Sequence, residues 1–117
     1  MSKMRVMTVL AGLACFGCAS VPVPAEELSQ SEGALRSAKE LGATQIPQAA
    51  LELKLSEDEL QKARGFLKDD ENEQARLILL RSRADAELAL ALTRQGQANS
   101  SAQNAQEQLR AVQKSVQ

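Results

Sequence analysis

The stretch PQAALELKLSEDELQKARGFL, residues 47–67, decides the fold. Ala49, Leu53, Ser56, Leu60, Ala63 and Leu67 recur at alternating steps of four and three, which places them on one face of a helix. Leu51 and Leu55 widen that face at its start. Pro47 suits the first turn of a helix, where its missing N–H is not needed. Ser56-Glu57-Asp58-Glu59 has the form of a capping box and offers an alternative start. The seam keeps its phase on both sides of that box, so one helix is read straight through it. Gly65 weakens this helix by roughly 1 kcal/mol relative to alanine without breaking it.

Downstream, Lys68-Asp69-Asp70-Glu71-Asn72-Glu73 reads as a charged turn. Lys68 complements the negative end of the helix before it, and Asp70, Glu71 and Glu73 the positive end of the one after. A calcium loop needs alternating oxygen ligands and a central glycine, and this run has neither. From near Asn72 a further helix runs at least to Arg94. It carries two apolar stripes: Leu77, Leu80, Ala84, Leu88 and Ala91 on one face, and Ala75, Leu79, Ser82, Ala86 and Ala89 beside it. Together these stripes are expected to contact both preceding helices, with the alanines permitting close approach. Two helices joined by so short a turn form an antiparallel hairpin.

Upstream, Leu28, Ser31, Leu35 and Ala38 give a narrow apolar face, so a first helix is read over residues 25–41. Glu26 and Glu27 suit its start, Gly42 its end, and Glu32 with Arg36 is expected to pair along its surface. Beyond Gly96 the composition turns to Gln, Asn, Ser and Ala, which favours disorder or a frayed helix. Yet Ala98, Ala102, Ala105, Leu109, Val112 and Val116 hold a seven-residue repeat able to extend the third helix as a weak coiled coil or a self-association strand. The expected fold class is therefore all-α: a hairpin of the second and third helices with a short first helix packed on it. The expected divisions are a signal peptide (1–17), an N-terminal Pro-rich spacer (18–25), a three-helix domain (26–95) and a Gln/Ala-rich tail (96–117).

The N-terminus supplies the address. Lys3 and Arg5 precede an apolar run, and small residues end it, as in a secretory signal peptide. The run is too short for a stable bilayer span, which takes about 20 residues. Both cysteines of the chain, Cys15 and Cys18, sit at its end. Their C-x-x-C spacing lacks the preceding strand and helix N-terminus of a redox motif. A lipobox is the better reading, with Cys18 preferred over Cys15 as the lipidated residue because Gly17 precedes it and Ala19, Ser20, Pro22 and Pro24 follow. Phe16 and Cys15 depart from the usual lipobox residues before Cys18, and cleavage after Ala19 without lipid is the alternative. If Cys18 is acylated, Ala19 after it permits export to the outer membrane, with anchoring stronger than one acyl chain supplies.

The chain contains no His, so it offers no imidazole base and no common zinc set. A nucleophilic Ser56 or Ser82 would have only Lys, Asp or Glu as base. No Gly-rich phosphate loop or dinucleotide fingerprint occurs, so no cofactor is expected. Without the signal the chain carries three more acidic than basic residues, and Phe66 is its one remaining aromatic. That balance gives neither a basic patch nor a stacking platform for nucleic acid. The chain is read as non-enzymatic.

Leu51-Glu52-Leu53-Lys54-Leu55, Glu73-Gln74-Ala75-Arg76 and Ala84-Asp85-Ala86-Glu87-Leu88-Ala89 carry a resemblance to domain-of-unknown-function family 4398. This family occurs in small bacterial helical envelope lipoproteins and ahead of peptidoglycan-binding modules. Asp69-Asp70 and Asn72 stand where the family usually has Gly-Asp and an aromatic, and no peptidoglycan-binding module follows Arg94. The resemblance implies no catalytic residues. With the address, it leads to a membrane- or periplasm-located envelope scaffold or adaptor, held to the membrane by its N-terminal lipid, with an envelope protein as partner.

Overall fold

A computed structural model describes residues 20–116. Three α-helices follow one another: α1 at Ala25–Glu40, α2 at Pro47–Lys68 and α3 at Asn72–Ser115. The signal segment with Cys15 and Cys18 lies outside the described residues.

Punctuation in the chain explains each boundary. The Pro24 carbonyl accepts the Leu28 N–H at 3.0 Å and so opens α1, with Glu26 and Glu27 in the first turn. The helix ends at Glu40, one residue before the expected limit, because Leu41 serves as its C-cap. Gly42 then adopts the left-handed conformation at φ 94° and donates to the Lys39 carbonyl at 3.0 Å, which turns the chain out of the helix. A short 3-10 turn, Ala43–Gln45, leads to Ile46, which is extended as a residue before proline should be. Pro47 opens α2, and α2 passes through Ser56 without interruption.

The turn from α2 to α3 is a Schellman motif. The Glu71 N–H reaches back to the Phe66 carbonyl at 2.9 Å and the Asp70 N–H to the Leu67 carbonyl at 3.4 Å. Asp70 takes the left-handed position, φ 58°, that glycine usually fills.

The core is a thin sheet of small side chains. Leu35, Ala38, Ala43, Ala49, Leu53, Leu60, Ala63, Leu79, Ala86 and Ala89 form one buried cluster where α1, α2 and α3 meet. On α3 the buried positions are Ala75, Leu79, Ser82, Ala86, Ala89 and Thr93. This corrects the expectation that both apolar stripes pack: Leu77, Leu80, Ala84, Leu88 and Ala91 all face solvent. A single narrow seam suffices for both neighbours because alanine and serine let the backbones approach closely.

The tail is neither disordered nor frayed; it takes the other expected course and extends the third helix. α3 runs unbroken for 44 residues, about 66 Å, twice the length of α2. Ala, Gln, Leu and Arg are all good helix formers, and they outweigh Asn99, Ser100 and Ser101. The packed part ends near Gly96, where a β-carbon would lie 2.8 Å from Ile46 Cδ1, and at Gln97, whose amide donates to the Leu41 carbonyl at 3.0 Å. Every described residue after Gly96 is exposed.

Candidate functional surface

One pole of the molecule receives the N-terminal segment. Residues 20–24 are not helical, as two prolines require. They are docked: the Asn72 side-chain amide donates to the Val21 carbonyl at 2.8 Å, and Pro24 is buried. Residues 21–24 with Glu27, Glu73 and Arg76 line a cleft of about 320 Å³ at the start of α3. The expected spacer therefore ends against the domain, at the same pole as the α2–α3 turn. The free end of α3 points to the opposite pole.

At the centre of the seam sit three fully buried serines, one from each helix. Ser56 Oγ donates to the Ser82 carbonyl at 2.7 Å, and Ser82 Oγ donates to the Ser56 carbonyl at 2.9 Å. Both hydroxyl protons are then used, so the 2.7 Å contact between Ser31 and Ser82 requires Ser31 Oγ to donate. The network clamps α1, α2 and α3 together and leaves no hydroxyl free for attack on a substrate. Lys54, the amine nearest Ser56 in sequence, extends into solvent and pairs with Asp58 at 3.3 Å. The arrangement is structural, and a Ser–Lys dyad is not formed at Ser56.

Between α1 and α2 runs an open groove of about 590 Å³ lined by Leu35, Leu60, Arg36, Gln61 and several ion-paired side chains. Glu32 pairs with Arg64 of α2 at 2.7 Å, which corrects the expected pairing with Arg36 along α1. Lys39 pairs with Glu57 across the same groove. These pairs are partly solvated, so each is worth at most about 1 kcal/mol. They bridge the two helices on either side of the groove and fix the azimuth of α1.

On the other flank of α2, Glu59 has a displaced proton affinity. Its side chain is 18 % exposed, and Arg81 Nε approaches one oxygen at 3.5 Å. The other oxygen is buried and meets no donor. Burial first, and then the Asp85 carboxyl facing it, hold Glu59 above its ordinary value of 4.5, against the opposing pull of Arg81 and Lys62. Protonated Glu59 is the form that can donate to Asp85. Sequence reading missed this pair. The available signal was positional: Glu59 and Asp85 each immediately precede a seam residue, Leu60 and Ala86, so both flank the packed interface.

Among the described residues, no group of three or more Cys, Asp or Glu side chains is placed to hold a metal ion. Residues 69–71 of the acidic run form the turn, and Asn72 and Glu73 open α3. No helix among the described residues is long and apolar enough to cross a membrane. The outer side of α3 is exposed and apolar: Leu77, Leu80 and Leu88 are followed by Leu109, Val112 and Val116, each between 44 % and 81 % exposed.

The sequence model of a family described as a domain of unknown function (DUF4398) matches residues 26–105. No curated protein and no solved structure matches the chain. The family match begins with α1 and continues nine residues beyond Gly96, into the exposed part of α3.

Proposed function

The chain belongs to the DUF4398 family, and from that premise we propose that it is a bacterial envelope lipoprotein acting as a non-enzymatic helical scaffold or adaptor. Lipid on Cys18 holds it to the periplasmic face of the outer membrane, and protein contacts carry its role. The observation that supports this reading is the placement of the two ends. The segment leading from Cys18 docks through Val21 against Asn72 at one pole, while α3 continues past the packed domain at the other. A chain tethered at the first pole presents the exposed helix away from its anchor.

The test is detergent partitioning of envelope fractions from cells producing the wild-type chain, Cys18→Ser and Cys15→Ser. The wild type and Cys15→Ser are expected in the detergent phase and Cys18→Ser in the aqueous phase. An aqueous wild type would overturn the anchor and leave a soluble periplasmic adaptor. Intact mass of the mature N-terminus then fixes the cleavage site and the acyl chains.

A further inference from the structure

We infer that the outer stripe of α3 is the interface for a second copy of this chain, paired antiparallel about a two-fold axis at Ser100. The inference goes beyond the anchoring reading and does not depend on lipid at Cys18.

Three observations carry it. First, the outer stripe of the domain and the heptad of the tail are one feature. Because α3 is unbroken, Ala84, Leu88, Ala91 and Gln95 continue in phase into Ala98 and Ala102 and on to Val116, all exposed. Second, the opposite face changes character at the end of the packed domain. The buried positions Ala89 and Thr93 are followed in the same phase by Gly96, Ser100, Gln103, Glu107, Arg110 and Lys114. Past the domain, leucine and valine occur only on the side that α1 and α2 leave open.

Third, the stripe is complementary to itself in one direction. With antiparallel pairing about Ser100, Ala84 meets Val116 of the second copy, Ala91 meets Leu109, and Gln95 meets Ala105. Each of these layers joins a large side chain to a small one, which keeps the helix spacing even. Leu88 meets Val112, and Ala98 meets Ala102 beside the axis. Parallel pairing would instead set Leu88 against Leu88 between two alanine–alanine layers, and bury Gln95 against Gln95.

The flanks agree with self-pairing. In the antiparallel register Asp85 faces Gln113, Glu87 faces Ser115 and Arg94 faces Gln108, so no charge meets its like. The three charged residues of the tail, Glu107, Arg110 and Lys114, lie on the far side. A stripe over residues 84–116 is about 48 Å long and about 10 Å wide, which gives roughly 1,000 Å² over two copies, the lower limit for a specific interface. The dimer is expected to be reversible.

Cysteine cross-linking of the chain beginning at Ser20, which holds all three helices and no native cysteine, tests the register. Ala91→Cys and Leu109→Cys variants are mixed and oxidised; a disulfide between the two variants is expected, and none within either alone. In the antiparallel pair, two copies of position 91 lie about 27 Å apart. Cross-linking of Ala91→Cys with itself would overturn the register in favour of a parallel pair. Sedimentation of the unmodified chain is expected to show a monomer–dimer equilibrium that a Leu109→Glu, Val112→Glu double variant abolishes with helix content retained. A monomer at all concentrations, or a dimer that survives the double variant, would overturn the interface.

Discussion

Ser56 and Ser82 exchange hydrogen bonds across the hairpin, each hydroxyl donating to the other residue's backbone carbonyl, at 2.7 and 2.9 Å. Ser31 completes the set by donating to Ser82 Oγ. In a core made mostly of alanine, this cluster is, among the described residues, the one place where all three helices are joined by directed side-chain bonds.

Ser82→Ala removes one interhelical bond and leaves the buried Ser31 hydroxyl without its acceptor. Stability should fall by about 2 kcal/mol, since the orphaned donor keeps its full desolvation cost. Adding Ser31→Ala removes the orphan, so the double variant should lose less than the sum of the two single losses. Urea denaturation of the four chains measures the difference.

Leu79 and Leu80 are neighbours with opposite fates. Leu79 is fully buried between helices, whereas Leu80 is 44 % exposed. Leu79→Ala is expected to cost about 3 kcal/mol, the usual scale for an emptied core leucine. Leu80→Ala should cost less than about 0.5 kcal/mol. Equal losses in thermal melts would contradict the assignment of the inner stripe.

The Schellman turn holds a non-glycine residue in the left-handed region, Asp70 at φ 58°. Asp70→Gly should raise stability by about 1 kcal/mol by removing the β-carbon penalty. Gly42, at φ 94°, gives the reverse case, and Gly42→Ala should lower stability by about the same amount. Chemical denaturation of the two variants checks both signs.

Glu59 titrates in the opposite sense to a salt-bridged carboxylate. Held above its ordinary value by burial and by Asp85, it makes the folded state bind more protons than the unfolded chain. Its contribution to stability is therefore fully present below 4.5 and is lost as pH rises through the raised value. Glu59→Gln keeps the shape and supplies an amide donor to Asp85. It should be more stable than the wild type at neutral pH, with the gain shrinking toward about pH 4, where the wild-type carboxyl is protonated. Urea midpoints across that range decide it, and a gain independent of pH would remove titration from the account.

Much of the architecture could be read from spacing. The alternation of four and three in α2, the stop at Gly42 and the start at Pro47 are local features, and local sterics set them. Glu32 pairs with Arg64 across the groove and not with Arg36, because spacing along one helix shows only neighbours three and four residues away. The Glu59–Asp85 pair escaped notice for the same reason, since 26 residues separate two carboxyls that the hairpin brings together. The polar composition of the tail points toward disorder, and its helix-forming residues outweigh its Asn and Ser.

By itself the sequence determined three helices, the breaks between them and the antiparallel hairpin, because these follow from periodicity, proline, glycine and a short turn; it did not fix how far α3 runs. It did not determine which side of α3 would be covered. The outer stripe, with Leu77, Leu80 and Leu88, is the more hydrophobic of the two, yet the inner one is buried. Only the tertiary structure decided this, and the reason is steric and directional. Alanines let three backbones come close, and the serines then bond helix to helix, which leucines on the outer face could not do.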